Sequence, residues 1–258
     1  MAQFYNDYFS FNGLYSRKYG YKLITLDSGF ESQFGLNKSI NKEKGVNGED
    51  IYYGESNSDL TLPITFAKVD EFDIPLAYTK EELRFITNWL FNKREYLPFE
   101  CDGLIYYVKF IKGTRWDNFS SKGYITLEMD VLNGIAYEPI KEIERHIVGS
   151  EYLYIYNDST ATDKIYPNYE FTLNSGAIFN ITNETTGQSV EFNSLTISEK
   201  IMVDNNIKDM KSATNINKNI YKLSNKKWLY LANGLNVLKI DCADCDFKIK
   251  YQNKICLV

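Results

Sequence analysis

Two cysteines stand three positions apart in the segment Cys242-Ala-Asp-Cys245. Thiolates at this spacing can share a metal ion or form a redox pair. A structural zinc site needs four ligands, and Cys256 with His146 would have to complete it without a second matching pair. A redox pair needs a helix N-terminus that lowers the thiol pKa, whereas strand-like sequence flanks this segment. We therefore expect reduced, partly buried cysteines.

A second chemical candidate is the acid pair Glu128 and Asp130. Both carboxylates fall on one face of one predicted strand, whereas a glycosidase brings its two carboxylates from separate elements that flank the sugar. His146, the only histidine, has no evident Ser or Cys partner and is predicted to be a linker residue. No Gly-rich phosphate loop is present. We predict a protein that is not an enzyme, without catalytic residues, metal or cofactor.

Composition indicates a globular protein rich in β structure. The 258 residues are 44% hydrophobic and 24% charged, and they include 21 Tyr and 16 Phe, which favour half-buried sheets. A net charge of −5 disfavours a tight grip on nucleic acid. No apolar run approaches the roughly 18 residues of a membrane span, and no signal peptide is recognisable. We expect folding in a cytoplasm and no membrane insertion.

One helix and one amphipathic strand are predicted in the first half. Thr79 and Glu82 form a capping box at the start of a helix that ends near Asn92. Its apolar side chains at three- and four-residue spacing predict one face toward the core. Residues 123–132 alternate apolar and polar side chains, as in a sheet with one dry face, and Glu128 and Asp130 lie on its wet face.

Residues 27–59 lack any periodicity and contain five glycines, so we predict a long arm without regular structure. Segments of this length inside a compact domain are usually functional or disordered. The apolar content is too high for a solvated linker, so the arm is expected to pack on a surface. The residues that carry this expectation are Phe30, Phe34, Leu36, Ile40, Ile51, Tyr52 and Tyr53.

A domain boundary is predicted at residues 140/141, where the pattern breaks between residues 134 and 149. Beyond it, short apolar runs alternate with turn residues, as in a β-sandwich. The Asn174-Ser-Gly176 segment, for example, is predicted as a turn between strands at 169–173 and 177–181.

Several motifs together resemble the distal tail proteins of long-tailed bacteriophages (siphophages), the Dit family. They are, in chain order, Phe9-Ser-Phe-Asn-Gly13 followed by Ser16, then Tyr166-Pro167, Asn183-Glu-Thr-Thr-Gly187, Ile201-Met-Val-Asp204, Leu231-Ala-Asn-Gly-Leu-Asn236 and Phe247-Lys-Ile-Lys-Tyr251. The resemblance implies a mainly β (α+β) fold. It further implies a ring-forming domain with one helix and an arm at residues 1–140, and a galectin-like β-sandwich at residues 141–258. The Cys242 and Cys245 pair is not part of the family pattern.

The resemblance also implies a structural virion protein at the tail tip. Such a protein forms a homo-hexameric hub that joins the tail tube protein to the tail-associated tip protein and to receptor-binding or baseplate proteins. DNA passes through its lumen only in transit. We predict that the arm crosses onto the next subunit, and that Glu128 and Asp130 face the lumen and repel phosphates.

The alternative is a carbohydrate-binding β-sandwich protein that recognises cell-wall glycans of the host. It predicts exposed, coplanar aromatic side chains in the second domain. A glycoside hydrolase would require two converging carboxylates, which the sequence does not offer.

Overall fold

A computed structural model describes residues 4, 6–24, 38–57, 60–117 and 123–256. The chain divides into two compact units. The first comprises Met1–Tyr137 with Cys256–Val258, and the second comprises Glu138–Ile255. Both units consist mostly of antiparallel strands, and the fold class predicted from the sequence is confirmed.

The first unit contains ten strands and one α-helix among its described residues. Their bounds are β1 Ser10–Phe11, β2 Leu14–Tyr15, β3 Tyr21–Leu23, β4 Lys38–Lys44, β5 Asp50–Asn57, β6 Leu60–Lys68, α1 Lys80–Leu90, β7 Leu97–Cys101, β8 Leu104–Asp117, β9 Gly123–Val131 and β10 Ile135–Tyr137. The main sheet has the order β2-β1-β7-β8-β9-β6-β3, and β10 pairs with β8. β4 and β5 form a separate two-stranded sheet.

The first strands show why the Phe9-Ser-Phe-Asn-Gly13 motif folds as it does. Asn12 and Gly13 both have positive φ angles, of 49° and 76°, which gives the hairpin turn between β1 and β2. Phe9 and Phe11 are buried. The backbone amide of Phe9 donates to the buried Ser16 Oγ at 3.1 Å, so Ser16 fastens the end of this hairpin.

The helix begins as predicted. Thr79 Oγ1 accepts from the Glu82 amide at 3.2 Å, and the Glu82 carboxylate accepts from the Thr79 amide at 2.8 Å. The helix buries Trp89, whose ring stacks on Phe9 with centroids 5.7 Å apart. The Trp89 indole Nε1 donates to the carbonyl of Phe11 at 3.1 Å. Much of the aromatic surplus thus forms the core between helix and sheet.

The second unit contains eight complete strands among its described residues, and a ninth, β19, begins in it and ends at Cys256 of the first unit. Their bounds are β11 Lys141–Asn157, β12 Lys164–Ile165, β13 Asn168–Asn183, β14 Gln188–Phe192, β15 Lys200–Asp204, β16 Asp209–Ser212, β17 Leu231–Ala232, β18 Gly234–Tyr251 and β19 Lys254–Cys256. The main sheet has the order β11-β18-β13-β15-β16, with β14 also paired to β13. β12 pairs with β17.

The sandwich arises because this main sheet folds back on itself. Phe171 and Phe179 both lie on β13, and eight residues of straight strand would separate them by roughly 26 Å. Their rings instead stack at 3.8 Å between centroids, with 7° between their planes. The two halves of one strand therefore face each other across the core, and the prediction of two separate strands around Asn174-Ser-Gly176 is wrong.

The central strands bend at one common level. β11 shifts register between Val148 and Gly149, and Ala243 of β18 is the extra residue opposite this shift. β13 also shifts register, across residues 173–179, which lie opposite the same part of β18. Gly176, with φ of 79°, lies so close to Ala243 that a Cβ on Gly176 would come within 2.8 Å of the Ala243 Cβ. Glycine is therefore needed at position 176.

The predicted pattern break over residues 134–149 is wrong for its second half. Residues 141–149 belong to β11, and His146 is a strand residue rather than a linker residue. β11 is an edge strand that exposes both faces over most of this stretch, so no apolar alternation marks it.

Candidate interaction surfaces

The β4–β5 hairpin covers residues 38–57 of the predicted arm. The prediction of an arm without regular structure is wrong for this part, because the two strands pair with each other in an antiparallel ladder. The two strands were not predicted, because neither face of the hairpin is buried and the sequence therefore shows no alternation of apolar and polar residues. Phe30, Phe34 and Leu36 lie outside the described residues.

The hairpin exposes its apolar side chains. Ile40, Ile51, Tyr52 and Tyr53 are all exposed, the two tyrosines at 62% each. Among the described strands, β4 and β5 pair only with each other. A two-stranded hairpin without a covered apolar face is marginally stable in water. The hairpin therefore has the properties of a segment that becomes stable when its apolar side chains pack on the surface of another molecule.

A loop of the first unit that is hydrogen-bonded to itself presents another apolar group. Phe72 is 75% exposed. The Asp70 carboxylate accepts from the backbone amides of Phe72 and Ile74, both at 2.9 Å, and Val69 pairs with Pro75. The loop is thus ordered by its own hydrogen bonds while its phenyl ring faces solvent. Loop ordering of this kind leaves no pattern of apolar residues in the sequence, and the site was not predicted.

Glu128 and Asp130 lie on the wet face of β9, as predicted from the alternation. The structure adds their partners. Lys112 Nζ on β8 lies 2.6 Å from Glu128 Oε1 in a cross-strand ion pair. The Tyr96 hydroxyl donates to Asp130 Oδ2 at 2.5 Å. The two acids are therefore parts of separate polar contacts and do not converge on one point as a catalytic pair would.

A row of tyrosines lies on the outer face of β11. Tyr152, Tyr154 and Tyr156 are exposed, and Leu153 and Ile155 between them are buried. Leu235 is the exposed cross-strand neighbour of Tyr156. In the sequence, residues 152–156 read Tyr-Leu-Tyr-Ile-Tyr and form one of the short apolar runs beyond the predicted boundary. Separating the phenolic side chains from the aliphatic ones would have revealed the alternation.

The cysteine pair lies at the bend of β18. Cys242 Sγ and Cys245 Sγ are 3.1 Å apart. Burial raises the pKa of both thiols above the ordinary value. Among the residues that the structure describes, no group of three or more His, Cys, Asp and Glu side chains is arranged to hold a metal ion. The described helices include none that is long and apolar enough to cross a membrane.

His146 forms a polar cluster with β18. Its Nδ1 lies 2.8 Å from Asp246 Oδ1, and its Nε2 lies 3.7 Å from Asp244 Oδ1. The hydrogen bond to Asp246 and the charge of Asp244 raise the pKa of the imidazole above its ordinary 6.5. The protonated form is therefore favoured in the folded state.

This cluster predicts a small pH-dependent stabilisation. A group with a raised pKa stabilises the fold fully below its unfolded pKa, and this stabilisation is lost as the pH rises through the folded pKa. His146→Gln should therefore lower the urea midpoint near pH 5.5 and leave it unchanged near pH 9, in unfolding followed by circular dichroism. An equal loss at both pH values would show that the imidazolium is not responsible.

Two family models match the sequence. A phage tail protein N-terminal domain matches residues 4–131, and a phage tail C-terminal domain matches residues 135–251. Together they span nearly the whole chain, and the chain belongs to this family of phage tail proteins. It is a structural tail component and hence part of the virion. No curated protein matches the sequence.

The fold is similar to that of a solved Dit protein. The crystal structure of SPP1 Dit (gp 19.1), described as a paradigm of the hub adsorption apparatus in phages that infect Gram-positive hosts, matches with a TM-score of 0.65 at 12% identity over 95% of this chain and 98% of that chain. A chain of the phage P2 baseplate in its activated conformation with Ca matches with a TM-score of 0.48 at 10% identity, over 94% and 97% of the two chains. The resemblance predicted from the sequence motifs is confirmed.

Proposed function

We propose that this tail protein forms a closed homo-hexameric hub at the distal end of the tail tube. The observation that carries the proposal is the β4–β5 hairpin with its exposed Ile40, Ile51, Tyr52 and Tyr53. A hairpin of this kind can pack on a neighbouring copy of the chain and cover both apolar surfaces. Head-to-tail contacts of this type close into a ring when the rotation between subunits permits it.

The hub would join the tail tube protein on one side to the tail-associated tip protein and to receptor-binding or baseplate proteins on the other. The exposed Phe72 loop adds a preformed apolar contact on the ring-forming unit, residues 1–140 in our sequence-based division. Because the loop is already ordered, docking on it costs little conformational entropy. The second unit, predicted as galectin-like, would provide further surfaces on which other tail proteins dock.

The lumen of the ring would let DNA pass without binding it. We assign Glu128 and Asp130 to the lumen wall, because they occupy the polar face of a strand whose other face is buried. Lys112 Nζ lies 2.6 Å from Glu128 Oε1, so the positive charge of Lys112 is offset by this carboxylate. The negative net charge of each subunit adds a repulsive field. A ring reconstruction with this face on the outside would contradict the assignment.

Light scattering of the purified chain tests the ring. We expect a mass of six times 30.0 kDa and six-fold rings in negative-stain images. The variant Ile40→Ser/Tyr52→Ser/Tyr53→Ser should be monomeric at micromolar concentration, because truncating a tyrosine that is an interface hot spot costs about 2 kcal/mol or more. The control Ile207→Ser/Ile216→Ser removes two exposed isoleucines of the second unit and should remain hexameric.

A hexamer that survives the triple substitution would contradict the role of the hairpin. A monomeric wild-type chain would contradict the ring itself.

The second candidate function is recognition of host cell-wall glycans. The Tyr152, Tyr154 and Tyr156 row favours it, because exposed aromatic rings can cover the apolar faces of sugars. A monomeric wild-type chain that binds cell-wall polysaccharide in calorimetry, with affinity lost in Tyr154→Ser, would favour this function over the hub.

A further inference from the structure

We propose that Cys242 and Cys245 form an intramolecular disulfide once the protein leaves the reducing cytoplasm. In a regular strand, side chains three positions apart point to opposite faces and are about 10 Å apart along the strand. Here the two sulfur atoms are 3.1 Å apart. A movement of about 1 Å would bring them to the disulfide bond length.

The bulge in β18 creates this contact. Cys242 pairs with Gly149 and Asp244 pairs with Val148, so that Ala243 between them has no partner on β11. Ala243 is also left without a partner on β13, where Cys242 pairs with Phe179 and Asp244 pairs with Ser175. The extra residue brings both thiols to the same side of the strand. The pair is thus held by the backbone of three adjacent strands.

The environment of the two thiols makes the oxidation slow. Cys245 is buried and Cys242 is partly exposed, and burial raises the pKa of both. Little thiolate is therefore present at neutral pH, and the thiolate is the reactive form. A pair of this kind stays reduced in a cytoplasm and oxidises outside it, where a virion component resides.

Oxidised glutathione, a small-molecule disulfide, can serve as the oxidant. The thiolate of the accessible Cys242 attacks one sulfur of glutathione disulfide, forms a mixed disulfide and releases one glutathione thiolate. The Cys245 thiolate then attacks the Cys242 sulfur and releases the second glutathione. The two protein thiols are oxidised to one disulfide, and the two protons that they lose end on the two glutathione thiols.

Intact-mass spectrometry of the folded full chain tests the proposal. After incubation with oxidised glutathione at pH 8.5, we expect a loss of two hydrogen masses from the Cys242 and Cys245 pair, no glutathione adduct on either residue, and a peptide map that joins Cys242 to Cys245. Alkylation under denaturing conditions should then modify only Cys101 and Cys256 among the four cysteines. Dithiothreitol should restore the starting mass.

Two variants and a melting experiment complete the test. Cys101→Ser should still lose two hydrogen masses, whereas Cys245→Ser should retain a stable glutathione adduct on Cys242. The oxidised wild-type chain should melt about 4 °C or more above the reduced chain, a difference absent from Cys242→Ser/Cys245→Ser. An unchanged mass, a persistent adduct on Cys242 or Cys245 of the wild-type chain, or dimers linked through Cys242 would overturn the proposal.

Discussion

Trp89→Ala should lower the free energy of unfolding of the first unit by about 3–5 kcal/mol. The Trp89 ring is buried, stacks on Phe9 and contacts Tyr19, Tyr21 and Phe85. Truncation would leave a cavity between helix and sheet and would also leave the Phe11 carbonyl without its indole donor. Guanidinium chloride unfolding followed by far-ultraviolet circular dichroism measures the loss.

Trp116→Ala is the matched control. Trp116 belongs to the same unit but is 55% exposed on β8, with Tyr124 as its ring neighbour at 5.4 Å. Its truncation should change the free energy of unfolding by no more than about 0.5 kcal/mol, as is usual for surface positions. Equal losses in the two variants would mean that Trp89 is not the central packing group of the first unit.

Asn236→Leu should lower the stability of the second unit by about 3–5 kcal/mol. The buried Asn236 amide fills four hydrogen bonds: its Oδ1 accepts from Asn183 Nδ2 and the Ala232 amide, and its Nδ2 donates to the carbonyls of Ala232 and Gly234. Leucine has a similar size but cannot form these four hydrogen bonds, so the partners of the Asn236 amide lose them. Each buried polar group left unsatisfied costs about 1–3 kcal/mol.

Asn193→Leu makes the same chemical change at an exposed position of the second unit. It should leave the melting temperature within 2 °C of the wild-type value, roughly the scatter of surface substitutions. Calorimetric melting of both variants compares them directly. If Asn236→Leu melts like Asn193→Leu, the buried amide network does not stabilise the turns that it joins.

The Asn236 network also explains two of the motifs that carried the family resemblance. Asn183 begins the Asn183–Gly187 motif and Asn236 ends the Leu231–Asn236 motif, and the two side chains meet at 3.0 Å. Polar residues at such positions look like ordinary turn residues in a sequence. Their shared role appears only when the strands β13 and β18 bring them together.

Elements with local causes were predictable from the sequence. The capping box of α1 and the dry face of β9 are each encoded within a dozen residues, and both were predicted nearly to their bounds. The hairpin turn between β1 and β2 also has a local cause, the positive φ angles of Asn12 and Gly13. In each case the determining contacts lie within one element or one turn.

Elements without a buried face, and elements held by distant partners, were not predictable. β4, β5 and the first half of β11 expose both faces, so their backbone ladders impose no alternation on the side chains. The bend of β13 was mistaken for a turn between two strands, because Asn174-Ser-Gly176 has a composition that is typical of a turn and equally of a strand bend. The contact of Phe171 with Phe179 distinguishes a bend from a turn, and this contact cannot be inferred from the sequence.

The folded-back sheet of the second unit has a mechanical consequence. In a sandwich of two separate sheets, the layers can be pulled apart by breaking side-chain contacts alone. Here β13 and β18 run through both layers, so pulling the layers apart would also require their bends to straighten against the covalent chain and the backbone ladder. A load applied to one layer is therefore transmitted to the other through the main chain.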